Sequence, residues 1–190
     1  MWWKGGFYMF ARIKRSADGL KKVPSLVGTS MFMALNVVIA NFKIVIVPKV
    51  LELGFATLAF AACAYIYGPI MTGVAGVLCD TIKYFLNPTG PYMPLFAINE
   101  FLTGFIYGIF FYKRDIKWWR IICARLIVVV LINLVLTPLW LSILYGNSFM
   151  VLLQARLVKN ICMLPIDFIL LYFVLNATKR AIPNHILNKV

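Results

Sequence analysis

Two charged pairs spaced three residues apart stand inside apolar sequence: Asp80 with Lys83 in "AGVLCDTIKYFL", and Arg156 with Lys159 in "LLQARLVKNICMLPIDF". That spacing puts both members of a pair on one helix face. Asp167 follows later in the second stretch, and Glu100 stands in "FAINEFLTGF". A charge at mid-bilayer costs roughly 2.5–3.5 kcal/mol, so charges kept in apolar sequence face a partner or a polar cavity. Polar residues Asn36, Asn41, Asn99, Gln154 and Asn160 accompany them, with the aromatics Tyr84, Phe85, Tyr92 and Phe96. The mixture suits a planar, polar, partly anionic ligand. Rings stack on aromatics, carboxylates pair with Arg or Lys, and N–H edges donate to Asp or Glu. The competing reading is structural: ion pairs Asp80–Lys83 and Arg156–Asp167, or snorkelling side chains.

Other chemistries are absent from the sequence. No G-x-x-x-x-G-K-[ST] occurs, so the chain does not hydrolyse ATP by itself. The single histidine, His185, lies in a polar tail, which removes His-based metal sites and Ser-His catalysis. Cys63, Cys79, Cys123 and Cys162 are far apart in apolar segments and read as buried hydrophobes. No enzyme, metal or cofactor is expected. The two halves do not repeat, which argues against an inverted-repeat transporter.

The elements that carry these residues follow from composition. The chain has 190 residues, 63% of them hydrophobic, with a mean hydropathy of +0.89. Soluble domains are about 45–50% apolar, so this chain is expected in lipid. At about 20 residues per crossing the length accommodates six helices with short loops. Apolar stretches lie near 25–47, 51–68, 70–87, 94–112, 119–145 and 149–178, with the second and third divided at Tyr67-Gly68-Pro69 because proline breaks a helix interior. The loop "NPTGPYMP" at 87–94 is non-helical and placed to cover a ligand.

Charge gives the orientation. Thirteen of the nineteen Lys and Arg fall in the N-terminal segment (Lys4, Arg12, Lys14, Arg15, Lys21, Lys22), the 113–120 loop (Lys113, Arg114, Lys117, Arg120) and the tail (Lys179, Arg180, Lys189). In a membrane chain such basic loops mark the cytoplasmic side and touch anionic lipid, and nucleic acid is not the expected partner. Trp2, Trp3, Trp118 and Trp119 sit where an interfacial belt is expected, and the first twenty residues lack the h-region and cleavage site of a signal peptide. The expected fold is all-α: six transmembrane helices with both termini cytoplasmic. It divides into a basic interfacial segment 1–24, a membrane domain 25–178 and a tail 179–190. The charged residues of the membrane domain then gather in its outer half.

Residues 64–111, "AYIYGPIMTGVAGVLCDTIKYFLNPTGPYMPLFAINEFLTGFIYGIFF", resemble the S components of energy-coupling-factor (ECF) vitamin transporters, and the folate-specific members most closely. Tyr67-Gly68-Pro69, Asp80, Pro88-Thr89-Gly90, Pro94 to Phe96 and Thr103 to Gly108 follow in the family's order. "ARLVKNICMLPIDFILLYFVL" (155–175) is similar to a second family pattern. The likeness runs over roughly 26–178. It departs from the family at "LELGFATLA" (51–59), which lacks an expected Arg and Pro, and at Asn99-Glu100, where small residues are frequent.

The resemblance implies a six-helix folate binder in a bacterial-type cell membrane. It would be powered through a transmembrane coupling subunit with two ATP-binding subunits, and would topple to release its vitamin inside. Arg156, Lys159 and Lys83 would meet the glutamate carboxylates of folate, and Asp80 or Glu100 the N–H edge of its pteridine ring. Tyr92, Phe96, Gln154 and Asn36 complete the expected contacts. Ser30 and Ala34, four apart on helix one with Ala40 further along, match a small-residue face that docks the coupling subunit. The alternatives are an S component for riboflavin, thiamine or pantothenate, or an intramembrane enzyme or scaffold.

Overall fold

The structure, a computed structural model, describes residues 12–41, 43–47, 51–88, 91–146 and 148–181. Trp2, Trp3, Lys4, Lys49, the loop tip Thr89-Gly90, His185 and Lys189 lie outside the described residues. A short helix over 12–18 and a 3-10 turn, Gly19–Lys21, lead into α1 (Val23–Asn41). A hairpin follows, β1 (Lys43–Val47) with β2 (Leu51–Gly54), then α2 (Ala56–Tyr67), α3 (Pro69–Leu86) and α4 (Leu95–Phe111). The last two helices are α5 (Trp118–Tyr145) and α6 (Phe149–Ala181). The described residues are thus helical apart from one hairpin.

The hairpin corrects the first two expected stretches. Lys43 to Val47 and Leu51 to Gly54 are antiparallel strands, with Lys43 opposite Gly54 and Val45 opposite Glu52. Apolar content alone does not separate strand from helix. The run "KIVIV" is β-branched at four positions of five, and such side chains favour extended backbone. The remaining four stretches fall on α3 to α6 within a few residues.

The division at 67–69 is where the sequence places it. Gly68 has φ +85°, a conformation that glycine adopts without strain, and Pro69 opens α3 where its missing N–H costs nothing. The corner is fastened from the N-terminal helix. The buried Ser16 hydroxyl donates to the Tyr67 carbonyl at 2.8 Å and accepts from the Ile70 and Met71 N–H groups at 3.1 and 3.3 Å. Those are first-turn donors that have no acceptor within α3.

Helix α2 is the centre of the bundle, with every residue from Ala59 to Ile66 buried. Its neighbours supply Tyr107, Phe111, Ile121, Ala124, Val128, Leu171 and Leu175 to one apolar core. Helices α3 and α4 pack closely through small residues. A Cβ on Gly76 would lie 2.7 Å from the Glu100 carbonyl oxygen, and one on Gly104 2.7 Å from that of Thr72. The outer faces carry exposed Val27, Met31, Val38, Phe85, Val130, Ile143, Ile161 and Phe173. In water such a surface would aggregate; against lipid it costs nothing. Among the described residues, three helices, α1, α5 and α6, are long and apolar enough to cross a membrane.

Candidate ligand-binding site

Two adjoining cavities contain most of the charged residues singled out in the sequence. The larger, about 690 Å³, lies where α1, α3 and α5 end and α4 begins. Its lining includes Asn41, Asp80, Lys83, Tyr84, Asn87, Tyr92, Phe96 and Tyr145. The smaller, about 310 Å³, lies further along the helices, lined by Asn99, Glu100, Thr103, Arg125, Asn133, Thr137 and Arg156 among others. Asp80 and Phe96 line both, so the two cavities share a wall.

Each helix brings its side chains for a local reason. On α3, Asp80 and Lys83 share a face, but Lys83 does not pair with Asp80. Its ammonium lies 3.9 Å from Glu100 on α4 and 5.5 Å from the centre of the Phe60 ring. At the mouth, Tyr84 and Tyr92 have ring centres 4.9 Å apart, Tyr92 shares a hydrogen bond with Thr81 at 3.3 Å, and Asn87 donates to Asn41 at 2.7 Å. The aromatic lining therefore comes already ordered.

The inner cavity owes its shape to α5. Residues Val128–Leu136 are wound as a π-helix, a rare form that is frequent at functional sites. Pro138 lies just beyond; its ring would press on the carbonyl four residues back in α register, and the wider winding relieves that. Thr137 closes the segment by donating from its hydroxyl to the Ile132 carbonyl at 2.7 Å. Asn99 on α4 donates to the Thr137 hydroxyl at 3.3 Å and accepts from the Trp140 indole N–H at 3.1 Å. Asn133 is thereby held toward the cavity, where it donates to Asn160 at 2.9 Å; Asn160 in turn donates to the Arg156 carbonyl at 2.8 Å.

Arg125 forms part of the cavity floor. One guanidinium nitrogen pairs with Asp167 and another donates to the buried Tyr107 hydroxyl at 3.2 Å, which joins α4, α5 and α6. Asp167 therefore pairs with Arg125 rather than Arg156. With Lys83–Glu100 and Arg125–Asp167 matched, the smaller cavity has Asp80 and Arg156 as opposite charges outside those two pairs.

Six of the expected contacts line a cavity: Asp80, Lys83, Tyr92, Phe96, Glu100 and Arg156. Lys159 and Gln154 line neither, and Gln154 is exposed. Asn36 is fully buried and donates to the Ala56 carbonyl at 2.7 Å, fastening α1 to the start of α2. Of the expected docking residues, Ser30 and Ala34 are exposed on α1, whereas Ala40 lines the larger cavity. Arg125, Asn133, Thr103 and Asn87 were not among the expected contacts. Arg125 was findable as a lone cation in "IICARLIVVV".

A helical bundle with an apolar outer surface, and cavities of ligand size lined by charges of both signs, is suited to hold a small polar ligand within a membrane. The chain belongs to the family "ECF transporter, substrate-specific component", whose model matches residues 24–175. It is 33% identical over 171 residues to "Folate transporter FolT" of Clostridium novyi, covering 90% of this chain and 97% of that protein. It is 28% identical over 153 residues to the protein of the same name from Leuconostoc mesenteroides, covering 77% and 82% of the two chains. Among solved structures it resembles "Crystal structure of FolT bound with folic acid", with a TM-score of 0.73, 34% identity, and 81% of this chain and 92% of that one covered.

Proposed function

We propose that this chain is the folate-binding S component of an ECF importer, capturing the vitamin outside a bacterial plasma membrane and delivering it inward. The observation that carries the reading is the pair of joined cavities, polar and charge-balanced within, aromatic and cationic at the mouth. Folate has two unlike ends. Its pteridine is neutral, planar and edged with donors and acceptors; its glutamate tail carries two carboxylates. A dianion is costly to bury beside Asp80 and Glu100, so the ring goes to the inner cavity and the tail stays toward the mouth. Glu100 accepts from the ring edge, with Asp80 the other candidate, and Arg156 donates to ring acceptors. Tyr84, Tyr92 and Phe96 flank the middle of the ligand, and Lys83 meets the tail. This moves Arg156 from the tail, where the sequence put it, to the ring.

Six helices cross the membrane with both termini cytoplasmic, 1–24 and 179–190 flanking a membrane domain 25–178. Ser30 and Ala34 meet a transmembrane coupling subunit that works with two ATP-binding subunits. Calorimetry on the purified protein in detergent, without ATP or partners, is expected to give saturable binding of folate and none of riboflavin, thiamine or pantothenate. Binding of one of those three in place of folate would overturn the specificity.

A further inference from the structure

A group of basic residues that line neither cavity gathers at the other end of α3 and α4, around the loop after α4. Arg12 donates to the Lys113 carbonyl at 3.3 Å, and Arg120 to the Asp115 carbonyl at 3.0 Å. Two guanidiniums thus grip the loop one residue to either side of Arg114. Arg12 Nη1 and Arg120 Nε are buried and have no hydrogen-bond partner among the described residues. No acid forms an ion pair with Arg12, Arg114 or Arg120 among the described residues. Burial, and then the like charges of Arg12 and Arg120, push the Arg114 guanidinium below its ordinary range. Burial, then Arg15 and Lys22, do the same to Lys113. Buried donors without acceptors, set among repelling cations, lack an anion with several oxygens.

We propose that Arg12, Arg114 and Arg120 bind the phosphate of an anionic phospholipid headgroup. The position selects a lipid over a free ion. Arg120 lies in the first turn of α5, which is long and apolar enough to span a membrane, and its guanidinium sits 5.1 Å from the Trp119 ring. Trp118, stacked on Tyr172 at 4.1 Å, and Trp119 are each about half exposed. Exposed tryptophans at a helix end mark the level of the headgroups, where basic clusters attract anionic lipid. Guanidiniums match phosphate with paired N–H donors.

Native mass spectrometry of the full chain, released from micelles holding equal phosphatidylglycerol and phosphatidylcholine, tests this. The wild type is expected to retain phosphatidylglycerol preferentially, and Arg114→Gln with Arg120→Gln to lower that preference about tenfold. Lys14→Gln with Lys21→Gln removes the same charge from exposed positions nearby and is expected to stay within about twofold. Equal losses in the two double variants would mean diffuse surface charge and no site. Absence of preference in the wild type would overturn the proposal and leave an acidic protein partner as the countercharge. If inorganic phosphate raises the thermal midpoint as far as phosphatidylglycerol does, the site takes free anions and the lipid assignment fails. Should the glutamine variant not fold, Arg114→Lys keeps the charge without the planar fork and is expected to fall between wild type and no preference. An unchanged preference in that variant would overturn the guanidinium site.

Discussion

Arg125 is held by Asp167 and Tyr107 in the bundle interior and is about 9% exposed, so the ion pair is largely withdrawn from water. Arg125→Met strands the carboxylate, and a loss of about 3–5 kcal/mol is expected, whereas Arg125→Met with Asp167→Leu recovers most of it. Unfolding midpoints in lipid nanodiscs check this; a double variant as unstable as the single would mean the charges serve something other than each other. The ligand contacts give a second prediction. Glu100→Gln and Arg156→Ala should each weaken folate and pteroic acid alike, by about 1.5–3 kcal/mol, because both ligands carry the ring. Lys83→Ala should penalise folate more, since pteroic acid lacks the glutamate. Calorimetry with both ligands decides; an Arg156→Ala loss confined to folate would return Arg156 to the tail. The residue types at the site were legible, because charge in apolar sequence is costly and therefore conspicuous. Which helix face looks inward was less so. Arg156 reaches the inner cavity and Lys159 does not, since three residues leave them about 60° apart around α6. Pairing across helices was not legible at all: Lys83 found Glu100, and Asp167 found Arg125.

Among the elements, the α3–α4 contact sets the distance between Asp80 and Glu100. Glycine at 104 lets the helices approach until a Cβ there would meet the Thr72 carbonyl, a backbone atom that cannot swing away. Gly104→Ala should cost about 1–3 kcal/mol and weaken folate binding with it, because the wall shared by the cavities widens. An unchanged thermal midpoint and affinity would show that the helices separate freely. The six helices were legible from runs of apolar residues and from proline and glycine punctuation at 67–69. The hairpin was not, because hydropathy counts Ile and Val equally in either backbone. Nor was the π-helix, whose causes, Pro138 and the Asn99–Thr137 bond, act across and along helices. That winding carries Asn133, which lines the inner cavity.

At the scale of the whole molecule, the proposed function requires a power source outside this chain, reached through a contact away from the cavities. Helix α1 has an exposed face that suits such a contact. One side of α1 packs on α2 and α3, and Asn36 fastens it there. The other side presents Val23, Val27, Ser30, Met31, Ala34 and Val38, all exposed. In this row Ser30 and Ala34 form a shallow step, four residues apart, that admits a second helix closely. Ala40 lines the larger cavity instead, so the proposed docking face rests on Ser30 and Ala34. Because Ala34 points away from the bundle, a large side chain there disturbs no internal contact. Ala34→Trp should therefore leave folate binding by the isolated protein within about threefold, under ~0.7 kcal/mol. The same variant should abolish ATP-dependent uptake in proteoliposomes that contain the full complex, because the indole fills the step. Lipid offers the isolated protein an apolar surface for that indole at no cost, so stability gives no competing explanation for lost uptake. Normal uptake by Ala34→Trp would place the docking face elsewhere on the bundle, and the exposed row on α1 would then face lipid alone.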